Sequence, residues 1–253
     1  MTISERAWTC FINSLRKVND DASERIRRYI QKYGLPQDQD AMNALIGYAY
    51  SVSTTYGEAA AELAAEMYDA VAAASGVTLE PAVPAATAEI GEVAKTVVGT
   101  TKIGNEEIIS SAIGRLVKQA GVDTTMKNAL RDGAEWAWVP HGDTCSFCIM
   151  LASNGWQRAS RQALKNGHAE HIHANCDCTY AVRFNNRTTV AGYDPGKYYE
   201  MYSNADGNTW EEKLNSMRRE AYAENSEEIN EQKRSAYEKR KERESSAAEE
   251  INV

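Results

Sequence analysis

The chain has 253 residues, 43% of them hydrophobic and 25% charged, enough apolar material for one large folded unit or two small ones. Thirty-six acidic against 28 basic side chains leave a formal net charge of −8, which excludes a general DNA-coating protein, because such proteins bind by neutralising phosphates. No apolar run approaches the ~20 residues of a membrane helix, and the charged start MTISERAWTCFINSLRKVND has no secretory h-region. The expectation is a protein made in a cytoplasm and soluble there.

The first 133 residues read as helical. Ile3, Ala7, Trp8, Phe11, Ile12, Leu15, Val18, Ile26 and Ile30 recur at steps of three and four, and Gly34-Leu35-Pro36 ends the pattern. Cys10 is expected to sit on this apolar face as a small buried hydrophobe. Asp38 can cap a second helix over roughly 38–74, which carries Met42, Leu45, Ile46, Ala49, Val52, Tyr56, Leu63 and Met67. Its alanine-rich stretch GEAAAELAAEMYDAVAAA favours helix and close packing, and offers a docking stripe around 57–74. Residues 76–86, with two prolines, form a linker or elbow. Shorter helices follow near 87–99, 105–120 and 123–132, with Gly121 as a C-cap and Asp123 or Thr124 opening the last.

From about 134 to 205 the character changes. Glu135–Val139 (EWAWV) alternates as a strand should, and puts Trp136 and Trp138 on one face, where they read as core. Residues 145–153 suit one or two helical turns ended by Asn154-Gly155, and Ser160 can cap a short helix through Lys165. Cys176, Cys178, Tyr180, Val182 and Phe184 alternate with Asp177, Thr179, Ala181 and Arg183, a period-2 strand with both cysteines on its apolar face. The last part, 206–253, is a charged tail. A helix from Trp210 has Leu214, Met217, Tyr222 and Ile229 as sparse apolar positions, and 21 of the last 43 residues are charged, as in a solvated helix or disordered end.

Four of the five cysteines and all four histidines lie between residues 141 and 178. The pattern is C-x2-C (Cys145, Cys148), a long gap, then His171-x-His173 and C-x-C (Cys176, Cys178). A tetrahedral zinc site takes four soft or borderline donors, two from each of two segments distant in sequence. Cys145 and Cys148 make the first pair; the second comes from His173, Cys176 and Cys178, with the choice of fourth ligand open. A reducing cytoplasm favours metal over disulfide. Disulfides, or reduced and simply packed thiols, are the competing readings. Catalysis is the weaker reading: His171, His173 and Asn175 faintly resemble an HNH-type nuclease, but no histidine follows them downstream. A cysteine–histidine nucleophile would not need the doubled cysteines.

The segment from Trp138 to the G-Y-D-P box (WVPHGDTCSFCIMLASNGW … HIHANCDCTYAVRF … VAGYDP) resembles the Mu F-like minor capsid, or head morphogenesis, proteins of tailed bacteriophages. The form in phages of Gram-positive, particularly actinobacterial, hosts is nearest. The resemblance covers about 55 of the 253 residues well. It implies a few copies in the virion at the portal vertex, contacts with the portal or major capsid protein, and a metal held by Cys145, Cys148, His173, Cys176 and Cys178. Asp143 and Thr144 match favoured positions before the first cysteine. Asp177 stands where relatives carry a basic residue, which removes a phosphate contact there.

The expectation is therefore an α+β, predominantly helical chain: a helical docking region (1–133), a Cys/His module (134–205) and a charged tail (206–253). Its function would be structural, with structural zinc, no strong nucleic-acid binding and no catalytic residues. The alternatives are a nuclease or toxin-like enzyme built on the module, or a host zinc-stabilised binding module acquired with a prophage.

Overall fold

The computed structural model describes residues 2–141, 144–160 and 178–227, with a few tail positions (230, 231, 234, 235, 237 and 238). It is mostly helical, with a small antiparallel sheet, an α+β fold. Helix α1 (Glu5–Tyr33) starts where the Ser4 hydroxyl accepts the Ala7 N–H, and stops at Gly34, whose φ of 79° glycine tolerates best. Trp8, Phe11, Ile12, Ala22, Ile26 and Ile30 form its buried stripe. Ile3, read as the first position of that stripe, precedes the helix in a two-residue strand, β1 (Thr2–Ile3). Cys10 is exposed, contrary to expectation. Two residues from Trp8 and from Ile12, it lies about 200° around the helix from both, on the outer face.

Helix α2 (Gln39–Ala74) is capped by Asp38, which accepts the Ala41 N–H at 2.8 Å. Its alanines divide between two faces: Ala60, Ala61, Ala64, Ala65 and Ala72 are buried within the protein, whereas Ala59, Ala70, Ala73 and Ala74 are exposed. The small size of the buried set lets α2 approach α4 (Glu106–Asp132) closely. At the crossing, a Cβ placed on Gly121 would stand 3.0 Å from the Ala60 carbonyl oxygen. This corrects the role expected of Gly121. It caps nothing, and the two helices expected over 105–120 and 123–132 are one continuous helix. α4 ends at Gly133, in the left-handed conformation with φ 66°.

Residues 77–89, between α2 and α3 (Ile90–Thr101), form an extended strap secured by side chains in place of strand pairing. Asp69 accepts the Ala82 N–H at 2.9 Å, and Thr124 accepts that of Ala85 at 2.9 Å. Asn128 both accepts from the Val83 N–H and donates to the Val83 carbonyl, each at 2.9 Å. Arg131 donates to the carbonyls of Pro81 and Glu80 and pairs with Asp132 at 2.7 Å. Asp132 in turn accepts from the Tyr68 hydroxyl at 2.8 Å.

The sheet runs β3 (Gln157–Arg158), β2 (Glu135–Val139), β4 (Thr179–Arg183), all neighbours antiparallel. Trp138 lies opposite Tyr180, and Glu135 opposite Arg183, with which it pairs at 2.6 Å. The expected alternation in β4 is not one apolar and one polar face. Thr179, Tyr180, Ala181 and Val182 are all buried, because both faces are covered. Ala137, Val139, Ala181 and Val182 share a core with Trp8, Phe11, Ile12, Tyr68 and Val71 of the helices. Trp136, Trp138, Cys178 and Tyr180 pack with α5 (Ser146–Ser153) and with Val122 and Met126 of α4. The helical region and the module thus share a core across residue 133, and β1 pairs in parallel with β5 (Thr189–Val190).

Two helices finish the described chain, α6 (Pro195–Ser203) and α7 (Trp210–Glu224). α7 opens with a capping box: Thr209 accepts the Glu212 N–H while Glu212 accepts that of Thr209. Leu214 and Met217 are buried as expected, whereas Tyr222 is exposed; Ile229 lies outside the described residues. Lys213 ties the helix down by donating to the carbonyls of Tyr202, Ser203 and Ala205 at 3.3, 2.8 and 2.8 Å. A cation at the carbonyl end of α6 also complements that helix's dipole. Among the described residues, no helix is long and apolar enough to cross a membrane.

Candidate metal centre in the Cys/His module

Strand β2 leads through Pro140 and His141 to Cys145, which is the N-cap of α5 and is exposed. One turn further on, Cys148 is 1% exposed. Cys145 has the extended backbone of an N-cap and stays at the surface, whereas Cys148, inside the first turn of α5, is packed into the core. Cys178, wholly buried, immediately precedes β4 and joins Cys148 in one cluster with Ala152, Trp136, Trp138 and Tyr180. The Tyr180 ring meets both indoles edge-on, with centroids 4.6 and 4.9 Å apart. Both tryptophans are core, as read from the strand alternation.

Cys145, Cys148 and Cys178 are therefore the described part of the expected ligand set. His173 and Cys176 lie outside the described residues, as do His168, His171, Asp143, Asp177 and the helix expected after Ser160. Among the described residues, no three Cys, His, Asp or Glu side chains come close enough together to hold a metal. The donors that are described suit zinc in kind, being soft thiols carried by two segments 30 residues apart in sequence.

The remaining motif residues hold the module together. Gly155 has φ 63°, and a Cβ there would come 3.4 Å from Pro195. Trp156 meets Tyr193 edge-on at 6.0 Å and carries the Arg183 guanidinium over its ring at 4.7 Å. Tyr193 donates to the Ala152 carbonyl at 3.0 Å, and Asp194 caps α6 by accepting the Gly196 N–H at 2.9 Å. The G-W and G-Y-D-P boxes are thus one contact, clamping the far end of the helix that Cys145 begins.

Electrostatics give these tyrosines no role as bases. Burial pushes the Tyr180 phenol well above its usual range, and Asp123 adds to the shift. Tyr193 is raised by burial and by Tyr198; Tyr198 is raised by burial, then by Cys178 and Asp194. All three stay protonated at neutral pH, as neutral hydrogen-bonding groups and packing surfaces.

The sequence reading missed an open groove beside Cys145, with a volume of about 750 Å3. Its apolar walls are Phe147 and Ile149 of α5, Met201 of α6, and Met217, Ala221 and Tyr222 of α7. Met217 and Tyr222 are sparse apolar positions of the tail helix, and nothing in their spacing marks them as lining one groove with Cys145.

The family model described as VG15 protein matches residues 2–205. The chain belongs to the VG15 protein family. The family is phage-associated, which makes this a phage protein. The match runs through the helical region, the strap, both cysteine pairs and the G-Y-D-P box, and stops just short of α7. No curated protein and no solved structure matches the chain.

Proposed function

We propose that this member of the VG15 family is a minor capsid protein with a structural role in head morphogenesis at the portal vertex of a tailed phage. The observation that carries the reading is the family match over residues 2–205, which extends across the helices and the module. The resemblance of 138–195 to Mu F-like proteins supplies the finer assignment, and the packing roles of Gly155, Trp156, Tyr193, Asp194 and Pro195 suit a scaffold. The portal protein, the major capsid protein, or both are the proposed partners. With a net charge of −8, contacts to protein are favoured over contacts to packaged DNA. The virion is its proposed location.

Structural zinc belongs to the same proposal. Cys145 and Cys148 would hold it with two of His173, Cys176 and Cys178, and a fully protein-ligated zinc would contribute folding free energy. Support comes from Cys148 and Cys178 sharing one buried cluster.

The test is co-expression with the portal protein and, separately, with the major capsid protein of the same phage, each followed by size-exclusion chromatography. Co-elution of the two chains is expected. Separate elution, with neither the portal nor the major capsid protein retaining this chain, overturns the assembly role.

A further inference from the structure

The strap turns every third side chain inward. Ala82 and Ala85 are buried, and Leu79 and Ala88, one step before and after them, pack half-buried against the cores. A β-strand on a core buries every second residue, and an α-helix every third or fourth. A steady repeat of three, in a segment outside the helices and strands, is the repeat of a polyproline II helix, with three residues per turn. The prolines agree: Pro81 and Pro84 fix their own φ and keep Glu80 and Val83 out of the helical region. Glu89, the last residue of the strap, has φ −72° and ψ 154°, the polyproline II values.

With one edge inward, two edges face solvent. Glu80, Val83, Ala86 and Glu89 make up the first, all exposed, Val83 by 64%. Pro81 and Pro84, both exposed, make up the second. The side chains of Asp69, Thr124, Asn128 and Arg131 already hold the backbone in this shape, so a partner has no ordering cost to meet. The first edge is apolar at its centre and acidic at its ends, which lie about 28 Å apart at 3.1 Å per residue. Among the described residues neither carboxylate has an ion pair: Glu89 makes no capping bond, and Arg131, which acts on Glu80 through space, is paired with Asp132.

We propose that the strap is a preformed polyproline II ligand, docking in a groove of the assembly partner that is lined by aromatic rings and has basic residues at both ends. Aromatic grooves read polyproline II edges through proline and small apolar side chains, and the two glutamates set the charge of the groove's ends. The inference rests on the assembly role proposed above and names the surface that role uses.

The full-length protein and three double variants are titrated against the purified portal protein and, separately, the major capsid protein, at low and high salt. One of the two should bind the parent. Val83→Asp with Ala86→Asp, and Pro81→Ala with Pro84→Ala, should each weaken that binding about tenfold or more. Glu80→Lys with Glu89→Lys should weaken it and flatten its salt dependence. All six positions are exposed, so melting temperatures should stay near the parent's. If the proline pair melts lower, the other two pairs decide. A photo-reactive residue in place of Val83 should capture a partner segment that carries aromatic residues.

Variants that bind as tightly as the parent overturn the strap as the docking surface and leave the assembly role standing. Capture of a segment without aromatic residues also overturns the proposal. A parent protein bound by neither partner overturns both.

Discussion

The Tyr193 hydroxyl donates to the Ala152 carbonyl at 3.0 Å, and this bond fastens the G-Y-D-P box to the end of the helix whose start carries Cys145. Ala152 also accepts from the Gly155 N–H, so removing the phenol leaves no orphaned carbonyl. Tyr193→Phe should therefore cost about 1 kcal/mol, the net worth of one hydrogen bond, measured by urea denaturation. A loss of several kcal/mol would mean that the box does more than clamp.

Asn128 holds the strap by bonds to both polar groups of Val83, and also donates to the Thr124 carbonyl. Asn128→Ala removes all three and should destabilise by roughly 2–4 kcal/mol. Residues 77–89 should then become the first site of limited proteolysis. Unchanged cleavage kinetics would show that Asp69, Thr124 and Arg131 suffice.

Two glycine-to-alanine changes should have opposite signs. Gly121→Ala brings a Cβ to 3.0 Å from a backbone carbonyl in a packed helix, and should destabilise by about 1–3 kcal/mol despite alanine's better helix propensity. Gly47, exposed in α2 with nothing within 4 Å of its would-be Cβ, should gain roughly 0.5–1 kcal/mol. Thermal unfolding of both variants checks the pair; equal signs would contradict the α2–α4 contact.

Burial lifts the Asp123 carboxyl above its usual value of 3.8, with Lys127 opposing the shift and Glu92 adding to it. A carboxyl raised in the folded state holds its proton more tightly there than in the unfolded chain. Its destabilising effect is then full above the folded pKa and absent below the unfolded one. Asp123→Asn should accordingly stabilise at pH 7, with the gain vanishing as the pH falls below about 4. Denaturation at the two pH values decides; a gain independent of pH would contradict the burial argument.

Because Cys145 is exposed, Cys145→Ser removes little packing. If zinc is held there, this variant should lose the metal and melt at lower temperature, and a chelator should reproduce the shift in the parent protein. An unchanged melting curve would mean that Cys145 ligates nothing that stabilises the fold.

Helices α1 and α2, strand β2 and the short α5 were legible because apolar periodicity and punctuation agree there: Gly34 after α1, Asp38 before α2, Asn154-Gly155 after α5. Gly121 misled because a packing glycine and a capping glycine look alike until the facing helix is known. Cys10 faces out where burial was expected, and about half of the alanine stripe faces in, since partner helices decide which side is core. The β1–β5 pairing joins two-residue strands 187 residues apart, and the Lys213 clamp depends on where α6 ends; neither leaves a local pattern. At the candidate site, the thiols were found by their spacing. The groove was not, because α5, α6 and α7 each supply only a few of its residues.

The most direct test of the central claim is quantitative mass spectrometry of purified particles of the phage that encodes this chain, separated from lysate by density gradient. The account predicts peptides from this protein in the heads, at a few copies per particle alongside the portal protein. Mature heads and procapsids that both lack it would contradict a minor capsid role.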